Sequence, residues 1–249
     1  MRPVTDTALL AIIAAQVTAI VILRYFATSG GFAWLTARRG ITAGPRDEVR
    51  RRKQVAAEIR WSLTAAIIYG IPAGLMLGAW HLFGLTRITT AITPAAVLWW
   101  LPNIALYLFV HDTWFYWTHR AMHAPALFKR VHAVHHASKP PTAWAAMSFH
   151  PWESLSGALL IPALAFLIPI HVSALAVVLT IATVMGVTNH MGWEMFPQRW
   201  VNGWFGRHVI TASHHENHHQ RYTCNYGLYF RFWDQFCGTD KGLARFPSP

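Results

Sequence analysis

The chain has 249 residues, 54% of them hydrophobic and only 12% charged, with a mean hydropathy of +0.28. Soluble domains carry about a quarter charged residues, so this composition argues against a freely soluble protein and for one domain seated partly in lipid. The formal net charge of +11 does not call for nucleic acid, because much of it lies in one stretch, ARRGITAGPRDEVRRRK (37–53), beside an apolar segment; the positive-inside rule accounts for it.

The first element, ALLAIIAAQVTAIVIL (8–23), is expected to be a retained transmembrane helix. No small-residue cleavage site follows it, and the run extends toward Tyr25 and Phe26, which argues against a signal peptide. The Arg-rich stretch comes next and is assigned to the cytoplasm, which leaves the N-terminus outside. A second apolar segment (61–85) contains Gly and Pro, residues tolerated in membrane helices. A short link with Arg87 then lies outside, and a third apolar segment (92–110) returns to the cytoplasm near His111. Its helix is expected to continue through HDTWFYWTHRAMH.

Residues 155–190 are apolar but too long for one span, and IPIH (168–171) interrupts them. They read as a helical hairpin turning near Pro169 with both ends cytoplasmic; two full spans and a shallow re-entrant hairpin both fit. After Trp193 no apolar run is long enough to cross, so the C-terminal region is expected in the cytoplasm. Most of the 13 Trp and 14 Phe are expected in the core, the rest at the headgroup level or along an apolar cavity. The Ala- and Arg-rich chain shows no ER-retrieval tail and fits a bacterial inner membrane, or the ER membrane if eukaryotic. The fold class is thus all-α: a multi-pass transmembrane protein, 1–249 as one integral membrane domain, with a cytoplasmic His-rich dimetal cap.

Fifteen histidines carry the chemistry. His81 and His171 fall near the outer side and His208 precedes the last cluster; the other twelve lie on the cytoplasmic face or its boundary. HRAMH places His119 and His123 four apart, on one helix face. HAVHH supplies His132, His135 and His136, with His132 beside both others on a helix. HHENHH supplies His214, His215, His218 and His219, and its last three repeat the HxxHH spacing. A solvated His-rich face gives no reason for that repeat. His190 in TNHMGWE aims from the hairpin at the same face. A lone His at 190 could also simply cap a helix; His150 and His111 are further candidates, with roles as partners of the ligand rings or as interfacial polar residues as the alternatives.

Imidazole suits zinc, copper, iron and nickel. A catalytic zinc needs about three protein ligands and a structural one about four, so roughly nine histidines exceed one site and suit two adjacent metals. The chain has only ten acidic residues, and only Glu216 stands three before a His, His219, whereas carboxylate-bridged helical bundles need an ExxH motif from each of two helices and further Glu ligands. A site against lipid, beneath apolar helices, suits oxygen activation toward an inert C–H bond. That is work for redox-active iron, which zinc cannot perform. The two cysteines, Cys224 and Cys237, match no iron–sulfur or zinc spacing.

DTWFYWTHRAMH, VHAVHHASKPPTAWAAMSFHP, NHMGWE and ASHHENHHQRYTCNYGLYFRFWDQFCGT together resemble the fatty acid hydroxylase/sterol desaturase superfamily of membrane-bound non-haem diiron enzymes. Their order and spacing agree with it over 103–238, the catalytic region, and NYG and WDQFCGT look like its sterol C5-desaturase branch. The resemblance implies metal ligands at His119, His123, His132, His135, His136, His190, His215, His218 and His219, with His214 matching a position where only some members have His. Some members carry a His where this chain has Glu194; either Glu194 ligates or that ligand is absent. Asp112, Glu153 and Asp234 are candidate partners for the distal ring nitrogens.

The resemblance further implies two iron ions per chain, with zinc able to substitute, and O2-dependent hydroxylation or desaturation of a lipid, sterol-like, fatty acyl or related. It implies electrons from outside the chain, supplied by ferredoxin, cytochrome b5 or a reductase. A dizinc membrane hydrolase, a His-rich membrane metal transporter and a bis-His haem protein are the alternatives. The hydrolase needs neither O2 nor reductant. The transporter places its ligands along a transmembrane pathway. The haem protein does not explain HxxHH twice.

Overall fold

The structure is a computed structural model, described here for residues 5–244 and Phe246. The two chain ends, whose sides of the membrane are assigned above, lie outside the described residues. Among the described residues eleven α-helices follow one another: α1 (Asp6–Arg38), α2 (Glu48–Phe83), α3 (Pro94–Met122), α4 (Pro125–Leu127), α5 (Pro151–Ala158), α6 (Leu160–Leu167), α7 (Val172–Asn189), α8 (Gln198–Val201), α9 (Trp204–His208), α10 (Ala212–Arg221) and α11 (Phe232–Phe236). Four of them, α1, α2, α3 and α7, are long and apolar enough to cross a membrane, which marks a membrane protein. At 1.5 Å per residue a 29-residue helix such as α3 runs roughly 43 Å, beyond a hydrocarbon core of about 30 Å. It therefore carries its last turns, with His119, clear of the apolar segment. Ile20, Leu23, Leu98 and Leu101 are exposed on these helices, as side chains facing lipid would be.

Sequence sets the helix limits. Thr5, Asp47 and Thr93 cap the N-termini of α1, α2 and α3 through their side-chain oxygens, and Gly84 ends α2 in the left-handed region at φ 63°. The α1–α2 pair is packed through Gly70, Gly74 and Gly78. A Cβ built at Gly70 would lie 2.5 Å from Thr18 Cα, and one at Gly74 would collide with Ala14 Cα. The two backbones touch because these positions carry no side chain, the usual device for tight helix pairs in lipid.

The hairpin turns at the expected place, but its arms differ. The first arm breaks at Leu159 into α5 and α6, and only the second, α7, is an 18-residue candidate span. At the turn, β1 (Ile88–Thr89) pairs in parallel with β2 (Ile170–His171), and Tyr107 Oη donates to Ile168 O at 2.8 Å. The link after α2 and the hairpin turn are thus joined at one end of the bundle. The buried core lies between α2, α3, α6 and α7, around Met76, Ile104, Tyr107, Leu164 and Val178. The histidines gather at the other end.

Candidate metal centre

α3 delivers His119 at its last turn, with His123 as its C-cap. The HAVHH segment is not one regular helix: His132 closes a five-residue π-helical turn (Phe128–His132), and His135–Ala137 is a short 3-10 turn. The wider turn still brings the rings together, with His132 4.7 Å from His136 and 5.2 Å from His135, centroid to centroid. α7 ends at His190, and α10 lays HHENHH over the top as a fully formed helix.

The result is two groups. His119, His123, His132, His136 and His218 form one; His135, His190, His215 and His219 form the other; within each, the candidate ligand atoms lie within 4.8 Å of one another. In the first, His119 Nε2 is 3.0 Å from His132 Nε2, and His136 Nε2 is 3.2 Å from His123 Nε2 and 3.0 Å from His218 Nε2. In the second, His190 Nε2 is 3.2 Å from His135 Nε2 and 2.9 Å from His215 Nε2. The groups adjoin: the His136 and His219 ring centroids are 4.6 Å apart.

The outer nitrogens explain the inward aim. His119 Nδ1 donates to Tyr226 O at 2.8 Å, His218 Nδ1 to Cys224 O at 2.7 Å and His190 Nδ1 to Gly186 O at 2.6 Å. A carbonyl only accepts, so the proton of each ring sits on Nδ1 and its Nε2 turns a bare lone pair inward. His132 Nδ1 meets Glu153 Oε1 at 2.9 Å. Burial first, then neighbouring imidazoles, pushes His132, His135, His215 and His219 well below the usual histidine range; burial and neighbouring imidazoles also lower His218. Burial alone takes His190 down to about 4. Neutral rings with converging lone pairs, buried and without an acid between them, fit a pair of imidazole-loving cations.

Other candidates stand elsewhere. His214 belongs to neither group; its ring is buried and faces Asp240, Nε2 to Oδ1 at 3.8 Å. Glu194 is turned to the α10 N-terminus, accepting from Ser213 N at 3.0 Å and Ser213 Oγ at 2.9 Å. His150 caps α5, and His111 Nδ1 pairs with Tyr229 Oη at 2.8 Å. Of the three acids suggested as ring partners, Glu153 contacts a ring. Asp112 instead accepts from the Leu228, Tyr229 and Phe230 amides, and Asp234 from the Tyr226 and Gly227 amides.

Those amide contacts give NYG and WDQFCGT a physical role. Asn225 sits at φ 57° and donates to His214 O and Gly242 O; Asp234 pins the next two amides. The loop so held aims Cys224 O and Tyr226 O at two histidines. The sequence signal was there, in an Asn–aromatic–Gly turn followed by a buried Asp, but which carbonyl meets which ring is a property of the folded loop. A second support comes from the N-terminal helices. Glu58, buried on α2, accepts from Thr142 Oγ1. Gln54 Nε2 donates to Pro140 O at 2.8 Å and its Oε1 accepts from Lys139 N at 3.2 Å. These contacts clamp the segment that follows HAVHH.

Fold and site together define a helical membrane protein with two adjoining, buried all-histidine groups, each able to hold a metal ion. The chain belongs to the fatty acid hydroxylase family, whose profile matches residues 104–239. It is 29% identical over 191 residues to a Delta(7)-sterol 5(6)-desaturase of Gibberella zeae, covering 76% of this chain and 57% of the relative. It is 31% identical over 147 residues to human lathosterol oxidase, covering 58% and 46%. To the C-4 methylsterol oxidase of Schizosaccharomyces pombe it is 29% identical over 174 residues, covering 67% and 55%. The matches span about half the length of these relatives. No solved structure matches the chain.

Proposed function

We propose that this protein is an O2-dependent oxidoreductase that hydroxylates or desaturates an unactivated C–H bond of a membrane lipid. Its metal ligands are His119, His123, His132, His136 and His218 for one iron, and His135, His190, His215 and His219 for the other. The observation that carries the reading is the pair of adjoining imidazole groups, five and four strong, at one end of an apolar bundle. Bound there, two irons would supply O2 activation toward an inert C–H bond. The protein's part is to hold bare Nε2 lone pairs inward through Tyr226, Cys224, Gly186 and Glu153. It also keeps the rings neutral by burial. The relatives are sterol desaturases and oxidases by name, which supports a sterol-like substrate ahead of a simple fatty acyl chain. A dizinc hydrolase fits the ligands less well, since nine imidazoles exceed what two catalytic zincs require.

The test is metal analysis of anaerobically purified protein, paired with lipid analysis of cells with and without it. About two irons per chain are expected, with an O2-dependent change in one lipid class, and His135→Ala or His218→Ala is expected to abolish that change while the protein still inserts. Full activity with zinc as the sole metal would refute the oxidative reading.

A further inference from the structure

We propose that the hollow beside His136 is the docking site of an acidic one-electron carrier protein, an inference that rests on the oxidative reading above. In hydroxylation a C–H bond breaks and a C–O bond forms. One oxygen atom of O2 enters the product and the other leaves as water, taking up two protons and two electrons that the substrate does not provide. In desaturation two hydrogens leave the substrate and both oxygen atoms become water, again with two protons and two outside electrons. A carrier delivering these one at a time must reach the histidines from the aqueous side, because the lipid side belongs to the substrate.

A hollow of about 580 Å³ opens between Phe128, Ala133, His136, Ala137, Lys139 and Tyr222. His136 is one of its walls, and this ring touches both groups. Its Nε2 lies 3.0 Å from His218 Nε2 in the first, and its centroid 4.6 Å from that of His219 in the second. Tyr222 covers the same ring with centroids 4.6 Å apart. Tyr222 is held at φ 66°, a left-handed conformation that a bulky residue rarely adopts; its amide donates to His218 O at 2.8 Å, closing α10. Backbone strain of this kind persists where the surroundings enforce it, and it collects at functional sites.

The hollow is lined by one lysine, and basic residues adjoin two more of its lining residues in the chain. Lys139 Nζ stands 4.9 Å from the centre of the Tyr222 ring. Lys129 and Arg130 follow Phe128, Arg221 precedes Tyr222, and all three are exposed. Residues 124–142 and 220–223 contain no Asp or Glu, so nothing in these segments neutralises the four charges. Such a patch steers and orients an acidic partner. Anionic lipid would also respond to positive charge, and the vesicle arm of the experiment separates the two. A headgroup has no need of a hollow that ends on an imidazole in contact with both histidine groups, whereas a carrier does.

The experiment reconstitutes the full-length holoprotein in phosphatidylcholine vesicles and measures cosedimentation of two acidic probes, a plant-type [2Fe–2S] ferredoxin and the soluble haem domain of cytochrome b5. At low salt, Lys129→Glu/Arg130→Glu/Arg221→Glu is expected to weaken binding of at least one probe about tenfold, with iron content unchanged. Arg50→Glu/Arg52→Glu is expected to bind as the unmodified protein does. The inference is overturned if neither probe binds the unmodified protein, if the rim variant binds normally, or if both variants lose binding equally. It is also overturned if the rim variant loses only affinity for phosphatidylglycerol vesicles, which would make the rim a lipid contact. The O2-dependent lipid change in cells reports separately on the oxidative reading: its absence removes that reading, and its presence with unaltered carrier binding removes only the docking site.

Discussion

Glu153 shows how one side chain outside the ligand set can govern it. Its Oε1 lies 2.9 Å from His132 Nδ1, both residues are buried, and its Oε2 has no partner. Removing the carboxylate frees the His132 ring to turn and lowers the basicity of its inner nitrogen. Such outer partners are worth roughly 10–100-fold in metal affinity. Glu153→Leu is therefore expected to weaken metal binding by that factor in a chelator competition, and Glu153→Gln, which keeps an acceptor, by less. Equal affinity for Leu and the native residue would show that the contact does not matter. His214 makes the complementary case. Successive residues of a helix turn by about 100°, which puts His218, His215 and His219 within one arc and His214 about 40° beyond its edge. His214→Ala is expected to leave iron content unchanged while lowering thermal stability, because it empties a buried site. The spacing of HHENHH displayed all four histidines but could not say where the site-facing arc ends. That depends on which way α10 is rotated by Asn217, which donates to Lys241 O and Gly242 O on its far side.

Among the elements, α10 supplies unequal shares to the two groups: one histidine of five to the first and two of four to the second. Replacing both His215 and His219 by Ala leaves the second group with His135 and His190 alone. Iron is expected to fall from about two per chain to about one, read by plasma emission against protein mass. Retention of two irons would mean that α10 is not needed for the second metal. The N-terminal pair offers a separate test, because it lies outside the family-matched region yet clamps the segment that follows HAVHH through Glu58 and Gln54. Gly74→Ile forces α2 away from Ala14 of α1; overpacking costs about 1–3 kcal/mol or more, and a lower midpoint of thermal inactivation is expected. An unchanged midpoint would mean the helices do not rely on this contact. The sequence displayed these glycines as residues tolerated in a membrane helix. Their shared stripe acquires meaning only when a partner backbone is placed against it. The π-helical turn at His132 and the parallel pairing of β1 with β2 were likewise illegible. Two-residue strands have no periodicity to read, and a widened turn keeps the same residue order as a regular one.

At the scale of the whole molecule, charge and histidines occupy the same end. α1 and α2 meet at the Arg-rich turn, α3 ends at His123 and α7 ends at His190. The link after α2 and the hairpin turn close the opposite end through β1 and β2. This polarity was legible in the sequence because apolar segment lengths and arginine placement are coarse properties that survive any local misreading. We propose that the arginines, which favour the cytoplasm, set the orientation relative to the two aqueous sides. The measurement is labelling of single cysteines in intact cells with a membrane-impermeant maleimide. The background must be Cys237→Ser, because Cys237 is partly accessible whereas Cys224 is buried. Arg52→Cys, whose native side chain is 80% exposed, is expected to react only after the cells are opened. Arg87→Cys, exposed at the β1 end, is expected to react in intact cells. The reverse pattern would invert the protein and move the histidines to the outer side, away from any cytoplasmic reductant. Reaction of both positions from one side would mean that α2 does not cross the membrane, and the assignment of four spans would fall with it.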